Sequence, residues 1–310
     1  MISTWSNSID KTSSLICKLP NSFQGRLGVV YQQHYEELYE SEAGGTTSLQ
    51  DALNDILSLF HIQSSSPTLS HLRYVWMALI LASVVEPTVK YYQPDNSIPE
   101  KTMNRLSLWL IETLTEMLSD KNRFSREAKK EEENNILDSS QFFSENNKIS
   151  SFQVLYEALD VYKNAIEVLD PKQALEALRD ILDDCLEGYA IFPGSYGRRE
   201  LFDWWLLDVV PASWCLVAPN SIYSTNEKHI ASDRIDKLQE ISFAMESVIR
   251  SASEDRMRES LPVSSNSFVF RSNKIETNKF NVTDIYSKSN PMSNLLFRKQ
   301  LNDYEHISIF

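Results

Sequence analysis

Between Phe152 and Leu169 the apolar residues Phe152, Leu155, Tyr156, Leu159, Tyr162, Ile166 and Leu169 recur three or four positions apart. An α-helix, with 3.6 residues per turn, lines such a set along one face, whereas a half-buried strand needs a spacing of two. The same spacing marks Leu27, Val30, Tyr31, His34 and Leu38; Leu49, Leu53, Ile56 and Phe60; and Met103, Leu106, Leu110, Leu114 and Met117. It returns in Leu175, Leu178, Leu182 and Cys185, and in Ile235, Leu238, Ile241, Met245 and Val248. Only seven glycines occur in 310 residues, few for the tight turns of an all-β fold or for a glycine-rich nucleotide loop. The expectation is an all-α protein of about eight helices, in one large or two smaller antiparallel helical bundles.

Local signals set the expected boundaries. A first helix over 24–41 stops at Gly44-Gly45. Ser48 is the candidate N-cap of a second, over 49–61. Pro67 opens a third, which Glu86-Pro87 should stop near Val85. Ser97 and Glu100 have capping-box spacing and open a helix to about Ser119. Asp170-Pro171-Lys172-Gln173 has the form of a helix start after almost no loop, so the helices on either side should form an antiparallel hairpin ending at Gly188. A helix over 198–209 should break at Pro211, with a short helical or extended piece following to Pro219, and another helix is expected over 233–258.

Composition divides the chain into a polar lead-in (1–22), an N-terminal helical half (23–119), a polar linker or surface loop (120–149), a C-terminal helical half (150–259) and a mostly irregular tail (260–310). The net charge is −13. Residues 1–150 carry 13 basic and 19 acidic groups, 151–255 carry 9 and 19, and 256–310 carry 8 and 5. Phosphate backbones and anionic lipid surfaces are held by concentrated Lys and Arg. An acidic body without a basic stripe therefore argues against nucleic acid and membrane surfaces, and for another protein as partner. The apolar stretch Val75–Val85, at eleven residues, is too short to span a bilayer and reads as a buried helix. Cys17, Cys185 and Cys215 have neither redox nor metal spacing, and read as reduced thiols of a cytoplasmic protein.

The residues that chemistry would draw on converge on one segment, Gly188–Pro219. Ser195 stands between glycines, but Pro193 occupies the position where a nucleophile elbow needs glycine, so this is read as a loop and helix start. Arg198 and Arg199 at that start could hold an anion; Asp203, four residues beyond Arg199, offers a competing ion pair. Trp204, Trp205 and Trp214 are three of the six tryptophans. On a helix Trp204 and Trp205 point about 100° apart, so one can enter a core while the other faces outward. The five histidines carry no metal-ligand spacing, and no catalytic or cofactor motif is present. The function expected is a non-enzymatic protein-interaction or regulatory role, with no cofactor. The alternative is an enzyme or small-anion binder with a pocket near Arg198, Arg199, Trp204 and Trp205.

Overall fold

A computed structural model describes residues 17–38, 40, 47–119, 151–186, 190–191, 197–223 and 228–260. The polar linker, the tail and most of the lead-in lie outside them. The described residues are all-α. Helix α1 spans Asn21–Tyr31 and is followed by a short 3-10 turn, Glu36–Leu38. Then come α2 (Leu49–Gln63), α3 (Pro67–Tyr92), α4 (Ile98–Leu118), α5 (Ser151–Glu167) and α6 (Ala174–Leu186). A rod follows, made of α7 (Arg198–Trp204), a π-helical turn (Trp205–Val209) and α8 (Val210–Cys215), and α9 (Lys228–Ser260) is last.

Helix α3 is the centre. It packs against α2, α4, α5, α6 and α8, so segments from both sides of residues 120–149 share one core. Nearly every side chain from Leu72 to Val85 is buried, as an all-round apolar sequence requires. Trp76 and Tyr162 fill the core without exposure, and each satisfies its polar atom: the Trp76 indole donates to the Val217 carbonyl at 2.8 Å and the Tyr162 hydroxyl to the Ala82 carbonyl at 2.9 Å.

The expected stop of α3 at Pro87 is corrected: the helix runs five residues past it, to Tyr92. Proline has no N–H and its ring crowds the carbonyl four residues back, here that of Ser83. Arg234 of α9 supplies the missing donor. Its buried guanidinium donates to the Ser83 carbonyl at 3.0 Å and the Val84 carbonyl at 3.3 Å. Glu86 lies buried beside this point, paired with Lys90 and 4.0 Å from Lys237. Burial pushes the Glu86 carboxyl up, but Lys90, Lys237 and Arg234 outweigh it and hold it below the usual carboxylate range. At its full 26 residues α3 is long and apolar enough to cross a membrane, unlike the eleven-residue stretch read from sequence; 83% of its most apolar window is covered by the fold.

Other boundaries shift for equally local reasons. The first helix ends at Tyr31 rather than 41, because the Tyr35 hydroxyl turns back to the Val30 carbonyl at 3.1 Å. His34 and Leu38 therefore lie beyond it. Ser48 caps α2 as expected, accepting from the Asp51 amide at 3.4 Å. The Ser97 capping box does not form; the Asn96 side-chain oxygen accepts from the Ile98 amide at 2.8 Å instead. Asp170 organises a turn, accepting from the Lys172 amide at 2.9 Å, and α6 begins only at Ala174. Helices α5 and α6 do pack on each other as a hairpin.

That hairpin gathers like charges. Burial pushes the Asp184 carboxyl up to about 7, and Asp160, Glu157, Asp180 and Asp183 push in the same direction. A carboxyl whose pKa rises on folding favours the fold only while it is protonated. Its contribution is intact below the unfolded pKa of about 4 and is lost as pH rises towards 7. Asp184→Asn is expected to raise the melting temperature at pH 8 by about 2–4 °C, with little change at pH 4. Thermal denaturation at the two pH values checks this; an equal shift at both would remove the electrostatic cause.

Candidate functional site

The rod α7–π–α8 carries the arginines and tryptophans that the sequence singles out. Gly197 opens it with φ of 81°, in the left-handed region. A Cβ there would stand 2.7 Å from the Tyr223 hydroxyl and 3.1 Å from Glu200 Oε2. Residues 192–196, including Ser195, lie outside the described residues.

Arg199 is engaged on four groups. Its Nε donates to Asp203 at 2.8 Å, the four-residue pairing visible in sequence. Nη1 donates to the Gln33 carbonyl at 2.8 Å and to Glu40 at 3.1 Å, and Nη2 donates to the Tyr31 carbonyl. The guanidinium thus holds carbonyls at the C-terminal end of α1, the end that a cation stabilises. Burial pushes the Glu40 carboxyl up, but the Tyr35 amide, His34 and Arg199 outweigh it and hold it below its ordinary value. At Asp203 the balance reverses: burial wins over Arg199 and raises the pKa. Arg198 is buried beside this network, 3.5 Å from the Glu37 carbonyl.

The two adjacent tryptophans divide as helix geometry requires. Trp205 is fully buried, with its indole N–H 3.5 Å from the Met77 sulfur. Trp204 is half-buried; its indole donates to the Ser221 carbonyl at 3.0 Å and its ring packs near Tyr223. Asp208 accepts from the amides and side chains of Asn220 and Ser221 at 2.9–3.0 Å, and so ties the following loop to the rod.

The expected break at Pro211 is corrected: the rod continues to Cys215. The π-helical turn accounts for this. The Val210 amide bonds the Trp205 carbonyl, five residues back, and the wider turn makes room for the proline ring within the first residues of α8. The rod ends at Leu216, a left-handed residue with φ of 55°, held by the Leu216 amide on Ser213 and the Val217 amide on Ala212.

Trp214 is the aromatic centre at that end. The Arg73 guanidinium carbon lies 3.5 Å from its ring centroid, and Phe23 of α1 meets it edge-on at 5.3 Å. Burial lowers the Arg73 pKa to about 10. Beside Trp214, the reading of three reduced thiols is corrected. Cys17 and Cys215, 198 positions apart in sequence, form a disulfide with Cα atoms 5.6 Å apart. Docking of α1 brings the pair together, so no local spacing announces it. Cys185 keeps a buried thiol, whose pKa burial and then Asp184 push up, making it a poor nucleophile.

The structure therefore brings Arg198, Arg199, Trp204, Trp205 and Trp214 onto one rod, with the Arg199 guanidinium and the Trp204 indole bonded to the protein itself. The sequence reading missed Arg73 and Cys17, whose partners lie far away in the chain. Among the described residues no group of three or more His, Cys, Asp or Glu side chains is placed to hold a metal ion. No protein-family model, curated protein or solved structure matches this chain.

Proposed function

We propose that this protein acts by binding another protein, in a structural or regulatory role, rather than by catalysis. The observation that carries this reading is Phe243. Helix α9 turns Leu238, Ile241 and Met245 inward, yet leaves Phe243 64% exposed on its outer side. An aromatic ring held in water on a helix face is the kind of anchor that partner surfaces bury. The net charge of −13 favours a partner with a basic surface, which long-range attraction would guide to the complex. The ligand-pocket alternative is less well supported, because Arg199, its main donor, already serves Asp203, Glu40 and two carbonyls.

Phe243→Asp is expected to leave the melting temperature within about 2 °C of the parent, since an exposed position contributes little to folding. The same change should abolish retention of the partner when both forms are used as bait at physiological salt. Equal retention by the two forms would refute this assignment of the surface.

A further inference from the structure

We infer that the Cys17–Cys215 disulfide is a redox-operated latch that holds α1 over Trp214, so that reduction frees the amino end of this helix without unfolding the body. Three observations converge. Cys17 is exposed and Cys215 half-buried, so a reductant can reach the bond. Helix α1 is intrinsically weak: it has no side-chain N-cap, no acidic residue in its first turn and no basic residue in its last. It also carries Gly25 and Gly28, and a Cβ at either position would meet nothing within 4 Å. Those glycines lower helix propensity and serve no close packing.

Helix α1 adds few side chains to the shared core. Its contribution is Phe23, Leu27 and Val30, laid against α2 and the rod, whereas α3 is enclosed by other helices. The disulfide pins one end of α1 and Arg199 pins the other. Breaking the first leaves the amino-terminal half to hold by Phe23 against Phe60 and Trp214, by the half-buried Leu19, and by the solvent-exposed ion pair of Arg26 with Asp55. Lifting Phe23 uncovers the aromatic surface of Phe60 and Trp214, with Arg73 stacked on it.

The chemistry is thiol–disulfide exchange with a dithiol reductant. One thiolate of the reductant attacks Cys17 Sγ, the exposed sulfur; the S–S bond breaks, and Cys215 leaves as a thiolate and takes up a proton. The second thiolate of the reductant then attacks the mixed disulfide and releases Cys17, which is protonated in turn. Two electrons and two protons reach the protein, and the reductant becomes a disulfide. An oxidised dithiol of the same class reverses the step. Buried Cys185 takes no part. In a reducing compartment, disulfides are characteristically transient bonds of this kind.

The test uses the full chain, oxidised and then treated with dithiothreitol, followed by amide hydrogen exchange. Reduction should accelerate exchange over residues 21–30 by tenfold or more and leave residues 75–85 of α3 unchanged. Trp fluorescence should become more accessible to acrylamide in the same step. Cys17→Ser should reproduce the reduced pattern and ignore dithiothreitol. Gly25→Ala with Gly28→Ala, in the reduced wild-type background, should restore most of the protection. Three results would overturn the inference: three free thiols in the oxidised protein; unchanged exchange over 21–30; or α3 exchanging in parallel with α1, which would make the bond a staple for the whole fold.

Discussion

Arg199→Ala is expected to lower the free energy of unfolding by about 2–4 kcal/mol, although the residue sits on the surface of the rod. The size follows from what the guanidinium leaves behind. The Tyr31 and Gln33 carbonyls lose a donor at the end of α1. Glu40 and Asp203 lose the cation between them and become like-charged neighbours with side chains only 14% and 29% exposed. Lysine should recover less than half of the loss, because a point charge cannot reproduce a planar fork serving several acceptors. The deficit should also depend on pH. The Glu40 pKa is depressed in the fold, so its contribution is present above the unfolded carboxylate pKa of about 4 and disappears as pH falls through its folded value. Once both carboxyls are protonated there is less charge for Arg199 to neutralise. Urea unfolding at pH 7 and pH 3.5 should therefore show the gap between parent and variant narrowing in acid. A gap of constant size would mean that the carbonyls, not the acids, carry the effect.

The second large effect lies at the proline in α3. Arg234→Met should cost about 3 kcal/mol, because the Ser83 carbonyl is then left without a donor and Glu86 loses one of three cations. Pro87→Ala restores a backbone N–H that can bond that same carbonyl. The cost of Arg234→Met should then fall by about 1 kcal/mol or more in the Pro87→Ala background. Additive effects, within about 0.5 kcal/mol, would show that Arg234 acts by packing or charge rather than as a substitute donor.

These two arginines also mark where the sequence could be read and where it could not. The stripes of α2, α4, α5 and α6 depend on residues three and four apart, and the structure places them as helices whose apolar faces turn largely inward, with Leu175 and Met117 at the helix ends left exposed. The split between Trp204 and Trp205, and the pairing of Arg199 with Asp203, are likewise consequences of helical spacing. The failures came at prolines and at chain crossings. Pro87 and Pro211 read as stops because local rules describe an isolated helix. One is rescued by Arg234, far along the chain, and the other by a π-helical turn whose apolar residues give no local sign of it. The partners of Arg199 in the 31–40 segment and the bond from Cys17 to Cys215 are set by docking of α1, which has no signature in either stretch alone.

The central place of α3 bears on how the chain is made. Synthesis delivers α3 long before the groups that enclose it: Tyr162, Trp205 and Arg234 lie far downstream. At about 5–20 residues per second, the gap between Tyr92 and Arg234 lasts on the order of ten seconds. Through that interval a 26-residue apolar segment, with the composition of a membrane span, stands on the ribosome without its cover. Shielding of α3 during that interval is therefore expected to raise the yield of folded chain. Truncation before α9 should yield aggregation, not a smaller fold.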